Sequence, residues 1–249
     1  MAASVADAVA RARQEAQEAA RAPPPPFALP EPSPGSWGRA RAFLTGDRGL
    51  SPELVDEAHR RGDLYADARG NLIALQRDPA GQAVGAEVRG TGPNAFQGVA
   101  KGSRPSAGMW RMQVGEGGPL VLTESAIDAL SVADLKGPGT PATYASTAGN
   151  ASAQADHPIV TTAIEARRTV IVAVDSDEQG RRYLARYVER WGKAVRGLLP
   201  ILKDWNDVLR EKIATGWKSG WKAMQRAIGP NSAPAPQPKP GGSADEENN

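Results

Sequence analysis

The feature that most narrows the fold is an alternation that begins after Gly117, where short runs rich in Val, Leu and Ile are each followed by a stretch of helical composition. Residues 119–123 (PLVLT), 142–147 and 169–174 (TVIVAV) read as strands, and residues 125–135, 157–168 and 181–191 as helices. The third run is dominated by β-branched residues, which fit a pleated, packed surface. Apolar strands separated by helices belong to a mainly parallel sheet with helices on both faces. The chain is therefore expected to contain an α/β domain over residues 117–210.

The preceding stretch has a different texture. Trp37, Ala40, Phe43 and Leu44 fall at helical spacing, and a second helix is signalled by Ser51 as cap, Pro52 in the first turn and Glu53 beside the dipole. Two strand-like runs follow, at 71–75 and 84–88, joined by the turn Asp78-Pro79-Ala80-Gly81, which predicts an antiparallel meander. Residues 37–116 thus read as a small α+β domain. Its last part, residues 98–111, is Gly-rich and basic, with Lys101, Arg104 and Arg111, and reads as a surface loop that can also grip a phosphate. Residues 1–36 are expected to be a helical, Pro-rich disordered arm and residues 229–249 a disordered tail, both too poor in large apolar groups to offset the entropy of ordering. Residues 211–228 read as C-terminal helices with Trp217, Trp221 and Met224 on one face.

Composition removes several chemistries. The chain has no cysteine, which excludes thiolate zinc sites, disulfides and cysteine nucleophiles. No run of 18 apolar residues exists, so no membrane partner is expected and the cytoplasm is the simplest compartment. Net charge is only +2, but residues 181–226 hold twelve Lys or Arg against four acids. That excess can attract phosphates, or can simply solvate helix faces.

In a parallel sheet ligands bind beyond the carboxyl ends of the strands, and two strands here end in acids. PLVLT delivers Glu124; TVIVAV delivers Asp175, then Ser176, Asp177 and Gly180. In an extended segment Asp175 and Asp177 project to the same side and can share a cation. Hard carboxylate oxygens select Mg²⁺ or Mn²⁺. Taken singly, a strand-end Glu is also a helix cap or ion-pair partner, and D-x-D recurs by chance. His59 and His157 lack a metal-ligand partner at suitable spacing and read as structural or exposed.

These residues resemble the Toprim family of bacterial primases, topoisomerases and related nucleases. V-L-T-E-S-A-I-D-A-L is similar to the first Toprim motif, with Glu124 as its glutamate and Asp128 one turn later. I-V-A-V-D-S-D-E-Q-G is similar to the second, with Asp175 and Asp177 as its aspartates, and residues 145–149 resemble the small-residue turn between the motifs. Residues 203–207 (KDWND), with Asp204 and Asp207, resemble the acidic segment that closes the primase-type domain in plasmid and mobile-element versions. Residues 37–51 and the meander resemble the uncharacterised domain that often precedes Toprim in primase-like and relaxase-associated proteins. Ser125 stands where the family commonly has Gly. Tyr65, Tyr144, Tyr183 and Tyr187 fall in core or strand contexts, which disfavours a topoisomerase nucleophile.

The resemblance implies a Rossmann-like Toprim fold in which Glu124, Asp175 and Asp177 hold Mg²⁺ or Mn²⁺ and act catalytically, with Asp128, Asp204 and Asp207 as supporting acids. Lys101, Arg104, Arg111 and Lys203 are the candidate phosphate contacts. The expected reaction is primase-like nucleotidyl transfer in plasmid or mobile-element replication or conjugation, on DNA (single-stranded) and nucleotides, with a helicase or relaxase as partner. The alternatives are a Toprim nuclease using the same site and a non-catalytic nucleic-acid-binding accessory module.

Overall fold

The computed structural model describes residues 26–93, 95–137, 139–149 and 154–216. The expectations for residues 1–25, for the Trp217, Trp221 and Met224 face and for the 229–249 tail lie outside the described residues. Residues 26–36, expected as part of the disordered arm, are instead tied down, with the Ser33 N–H donating to the Ala66 carbonyl and the Tyr65 hydroxyl to the Pro30 carbonyl, at 2.7 Å each. The protein is mixed α/β, with one antiparallel and one mostly parallel sheet.

The chain enters through helix α1 (Trp37–Ala42), a π-helical turn and helix α2 (Pro52–Arg60). Ser51 does not cap α2 with its hydroxyl; its Oγ and N–H both donate to the carboxylate of Asp134, at 2.6 Å each. The charged carboxylate orients the hydroxyl as a donor in a tertiary tie, and Oγ accepts from none of the first-turn N–H groups. The antiparallel meander follows: β1 (Leu64–Ala66), β2 (Leu72–Arg77), β3 (Ala83–Arg89) and β4 (Gln97–Val99), paired in that order. β4 takes in the start of the stretch that composition marks as a loop.

The second sheet contains β5 (Trp110–Val114), β6 (Leu120–Thr123), β7 (Ala142–Ser146), β8 (Val170–Val172) and β9 (Val195–Gly197), in the order β5-β7-β6-β8-β9. β7, β6, β8 and β9 are mutually parallel, and β5 closes one edge antiparallel to β7. The loop reading of residues 98–111 is thus corrected at its end as well: Trp110 and Met112 alternate inward and are almost fully buried, and this carries the backbone into the ladder. Helices α3 (Ala126–Lys136), α4 (Pro158–Glu165), α5 (Glu178–Trp191) and α6 (Trp205–Thr215) complete the domain. α5 begins three residues before the expected 181, because Asp177 accepts from the Gly180 N–H and sets the first turn.

Alternation along the strands explains why the sheet is covered twice. Val121, Ile171 and Ala173 face a core shared with α1, α2, α3, α6 and the inner side of the meander. Leu120, Leu122, Val170, Val172 and Val174 face the other way, onto Val160 and Ala163 of α4 and Tyr187 of α5. Val188 of α5 is 45% exposed.

Candidate functional site

β6 and β8 are adjacent and parallel, with Leu122 opposite Val172, so the residues that follow them emerge side by side. Glu124 leaves β6 and its Oε1 accepts from the backbone N–H of Asp175 at 3.2 Å. Two acids fifty-one residues apart in sequence thus meet at one end of the sheet.

Burial and like charge set their ionisation. Burial lifts Glu124 above the usual carboxylate range, helped by the charge of Asp177 and opposed by the Asp175 N–H. Asp175 is pushed up to about 8, first by burial and then by Asp128, Glu124, Asp204 and Asp177. Its Oδ1 is buried without a hydrogen-bond partner. Gly180 lies against Asp175, and a methyl group there would collide with the Asp175 carbonyl oxygen, which accounts for glycine at the end of the D-S-D-x-x-G run.

The supporting segments are tied in by backbone groups. Ser125 caps α3 by accepting from the Asp128 N–H at 3.1 Å, and its hydroxyl also donates to the Asp128 carboxylate. Ser125 therefore serves as a cap where the family commonly has glycine. Asp128 is buried, raised to about 6 mainly by burial, and accepts from the Asn206 N–H. The 145–149 turn packs onto Glu124, with Gly149 N–H donating to the Glu124 carbonyl at 2.9 Å. Asp204 caps α6 through the Asp207 N–H at 2.7 Å, and the Ser176 hydroxyl donates to the Leu202 carbonyl at 2.7 Å.

A cavity of about 580 Å³ opens over these groups. Glu124, Asp128, Asp175, Asp204 and Asp207 line it, facing Arg48, Arg89 and Lys203. Asp177 is not among its lining residues; it sits two positions beyond Asp175 as the exposed cap of α5, near enough for its charge to raise both Glu124 and Asp175. Of the basic candidates only Lys203 lines this cavity; Arg111 lines a second one, and Lys101 and Arg104 line neither. Among the described residues, no three acid or histidine side chains are gathered closely enough to hold an ion by themselves. The donor set nonetheless fits a hard, hydrated divalent cation, which usually takes one or two carboxylates and completes its shell with water and substrate phosphate. The orphaned Asp175 oxygen and the mutual repulsion of the acids are the features such a cation would relieve.

Several site residues escape a reading of the sequence. Glu87 of β3 reaches across from the meander, and its Oε2 accepts from the Ala126 N–H at the start of α3 at 3.0 Å. It is raised to about 7, chiefly by burial, with the charge of Asp128 adding to the rise. Arg48 and Arg89 come from the same upstream domain; their Nε atoms are buried without partners, and the charge of Arg48 helps burial lower the Arg89 guanidinium. Asn206 joins α6 to the Arg48 carbonyl at 2.8 Å and to Ser131 at 3.0 Å. No local pattern marks Glu87, Arg48 or Arg89, since only the packing of the two sheets brings them here. His157 caps α4 through Nδ1, and His59 stacks on Trp37 at 3.7 Å, so both histidines serve structure.

Residues 121–209 match the Toprim-like family, and residues 42–113 match a family described as a protein of unknown function, DUF3991. The chain thus carries a Toprim-like domain with a domain of the second family ahead of it. A 65 kDa protein of Zymomonas mobilis subsp. mobilis is 29% identical over 203 residues, covering 74% of this chain and 33% of that protein. The chain therefore spans about a third of the length of this relative. Primase domains of bacteriophage T7, solved with its lagging-strand DNA polymerase, an RNA/DNA hybrid and dTTP, share the fold, with a TM-score of 0.52 and 24% identity over 76% of this chain and 90% of that one. The primase fragment of the T7 primase-helicase gives a TM-score of 0.49 and 24% identity, covering 69% of this chain and 72% of that one.

Proposed function

We propose that the protein is a primase-like nucleotidyltransferase acting on single-stranded DNA and nucleotides, with Glu124, Asp175 and Asp177 as the residues that would hold Mg²⁺ or Mn²⁺. The observation that carries this reading is the meeting of Glu124 and Asp175 at the ends of adjacent parallel strands, inside a cavity that also presents Arg48, Arg89 and Lys203. Acids facing cations across one cleft suit a phosphate chain bridged to the protein both directly and through a divalent ion.

When bound, the metal would neutralise phosphate oxygens and favour an in-line attack of a 3′ hydroxyl on a nucleotide α-phosphorus, with pyrophosphate leaving. Arg48, Arg89 and Lys203 would hold phosphate oxygens as charge-assisted donors and orient the leaving group. Asp128, buried and fixed by Ser125 and Asn206, positions the first turn of α3 and, through Asn206, the segment bearing Lys203. Asp204 and Asp207 form the far wall and set the start of α6. The setting we propose is replication or conjugation of a plasmid or other mobile element, in the cytoplasm, with a helicase or relaxase as partner. The resemblance of the KDWND segment to mobile-element versions supports it.

The test is primer synthesis on single-stranded DNA with ribonucleotides and Mg²⁺ or Mn²⁺, read on a denaturing gel. Products that require all three, and that vanish in Asp175→Asn, are expected. Metal-dependent strand cleavage without nucleotides would assign the site to a nuclease; tight DNA binding with neither activity would assign it to an accessory module.

A further inference from the structure

The sheet carries a second cavity, of about 540 Å³, at the end opposite Glu124 and Asp175. Leu120, the first residue of β6, and Arg168, two residues before β8, both line it. Its size lies within the range of small-molecule sites, roughly 300–1,000 Å³. Its charge is lopsided: Arg61, Arg77, Arg111 and Arg168 line it against the single acid Asp63.

The four arginines are not equally occupied. Arg77 pairs with Asp63 at 2.7 Å, and Arg61 with Glu57, outside the cavity, at 2.8 Å. Arg168 gives its Nε and Nη2 donors to the Gly118 and Pro119 carbonyls and the Thr143 hydroxyl, all neutral acceptors, and these bonds leave the Nη1 donors unused. Arg111 has one long contact, 3.4 Å to the Asp78 carbonyl. Burial lowers its pKa even though Asp63 and Asp78 pull the other way. A guanidinium taken from water without an ion-pair partner is costly, and an anion laid against it would recover that cost. The floor is apolar: Met109 and Leu120 are almost fully buried, and Ile159 lies beside them. A cationic rim over an apolar floor suits a ligand that is anionic at one end and flat or apolar at the other.

We propose that this second cavity binds a small phosphate-bearing molecule of nucleotide size, with its phosphate on Arg111 and Arg168 and its ring portion over Met109, Leu120 and Ile159. The site is separate from the acidic cleft and does not depend on the chemistry proposed there.

The experiment is calorimetric titration of the full chain with ADP, GDP and inorganic pyrophosphate, in EDTA so that the acidic cleft contributes no metal-bridged binding. One nucleotide per chain is expected to bind wild type, Asp175→Asn and the control Arg182→Ala alike. Arg111→Gln should weaken binding about tenfold or more, as expected for loss of a charge-assisted contact. Arg61→Ala, an exposed rim change that leaves the core untouched, should weaken it less and keeps the test informative if Arg111→Gln fails to fold. Unchanged affinity in both arginine variants would overturn the proposal, as would loss in Asp175→Asn alone. Pyrophosphate binding as tightly as the nucleotides would overturn the assignment of the ring portion. Arginine-dependent binding of an eight-nucleotide DNA strand without binding of ADP or GDP would replace a small-molecule site with a strand contact.

Discussion

At the scale of single residues, the acidic site depends on two residues that perform no chemistry. Gly180 lets the first turn of α5 lie against the Asp175 carbonyl, where no Cβ fits. Gly180→Ala should therefore shift the Asp175 backbone and cost about 1–3 kcal/mol, as overpacking does. Urea unfolding would show it, and an unchanged midpoint would mean that the turn relaxes freely. Asn206 bonds to Arg48, Ser131 and Asp128 at once through side chain and backbone. Asn206→Ala leaves the Arg48 carbonyl short of a donor in a buried setting and should cost about 1–3 kcal/mol. Because Asn206 is a positioning residue, any activity should fall in kcat more than in nucleotide KM. Glu124 and Asp175 stand out in the sequence because each closely follows an apolar run, whereas their meeting at one end of the sheet and the position of Asp177 as the cap of α5 come only from the fold. Asn206 and Gly180 lay inside motifs that could be recognised, but their roles emerge only from the contacts.

At the scale of elements, β3 and α3 are coupled through Glu87. Its folded-state value near 7, against an ordinary 4.5, means that the folded chain keeps a proton which the unfolded chain has released across that interval. Stability from this group is therefore intact below about pH 4.5 and is lost as pH rises toward about 7. Glu87→Gln removes the ionisation while keeping an acceptor for the Ala126 N–H. Relative to wild type, it should gain about 1–2 kcal/mol at pH 8 and almost nothing at pH 4.5, measured by urea unfolding. An equal effect at both pH values would show that Glu87 does not titrate in this window. No sequence pattern points to this contact, since Glu87 is one charged residue on a strand and only the packing of the meander onto α3 brings it to the Ala126 N–H. β5 was missed for a related reason: Gly-rich basic composition masks a five-residue edge strand whose inward residues are Trp110 and Met112. TVIVAV, by contrast, yields a ladder only over Val170–Val172.

At the scale of the molecule, the meander, α1, α2, α3 and α6 share one core that runs from Leu44 and Leu50 through Trp110 to Trp205 and Val208. Two domains legible in the sequence by composition are thus physically joined by a common apolar interior. A single cooperative transition is expected by calorimetry, with van't Hoff and calorimetric enthalpies in agreement. Two separated transitions would contradict the shared core. The joint also explains the mixed lining of the acidic cleft, where the Toprim-like domain supplies Glu124, Asp128, Asp175, Asp204, Asp207 and Lys203 and the upstream domain supplies Glu87, Arg48 and Arg89.

The proposed function rests on a divalent cation held by Glu124 and Asp175, with Asp177 two residues further on. Calorimetric titration of Mn²⁺ into wild type and into Glu124→Gln/Asp175→Asn addresses it without relying on turnover. The account predicts binding to wild type and an affinity at least about tenfold weaker in the double variant, whose stability at pH 8 is equal or higher because buried like charges are gone. Equal Mn²⁺ affinity in the two proteins would contradict it.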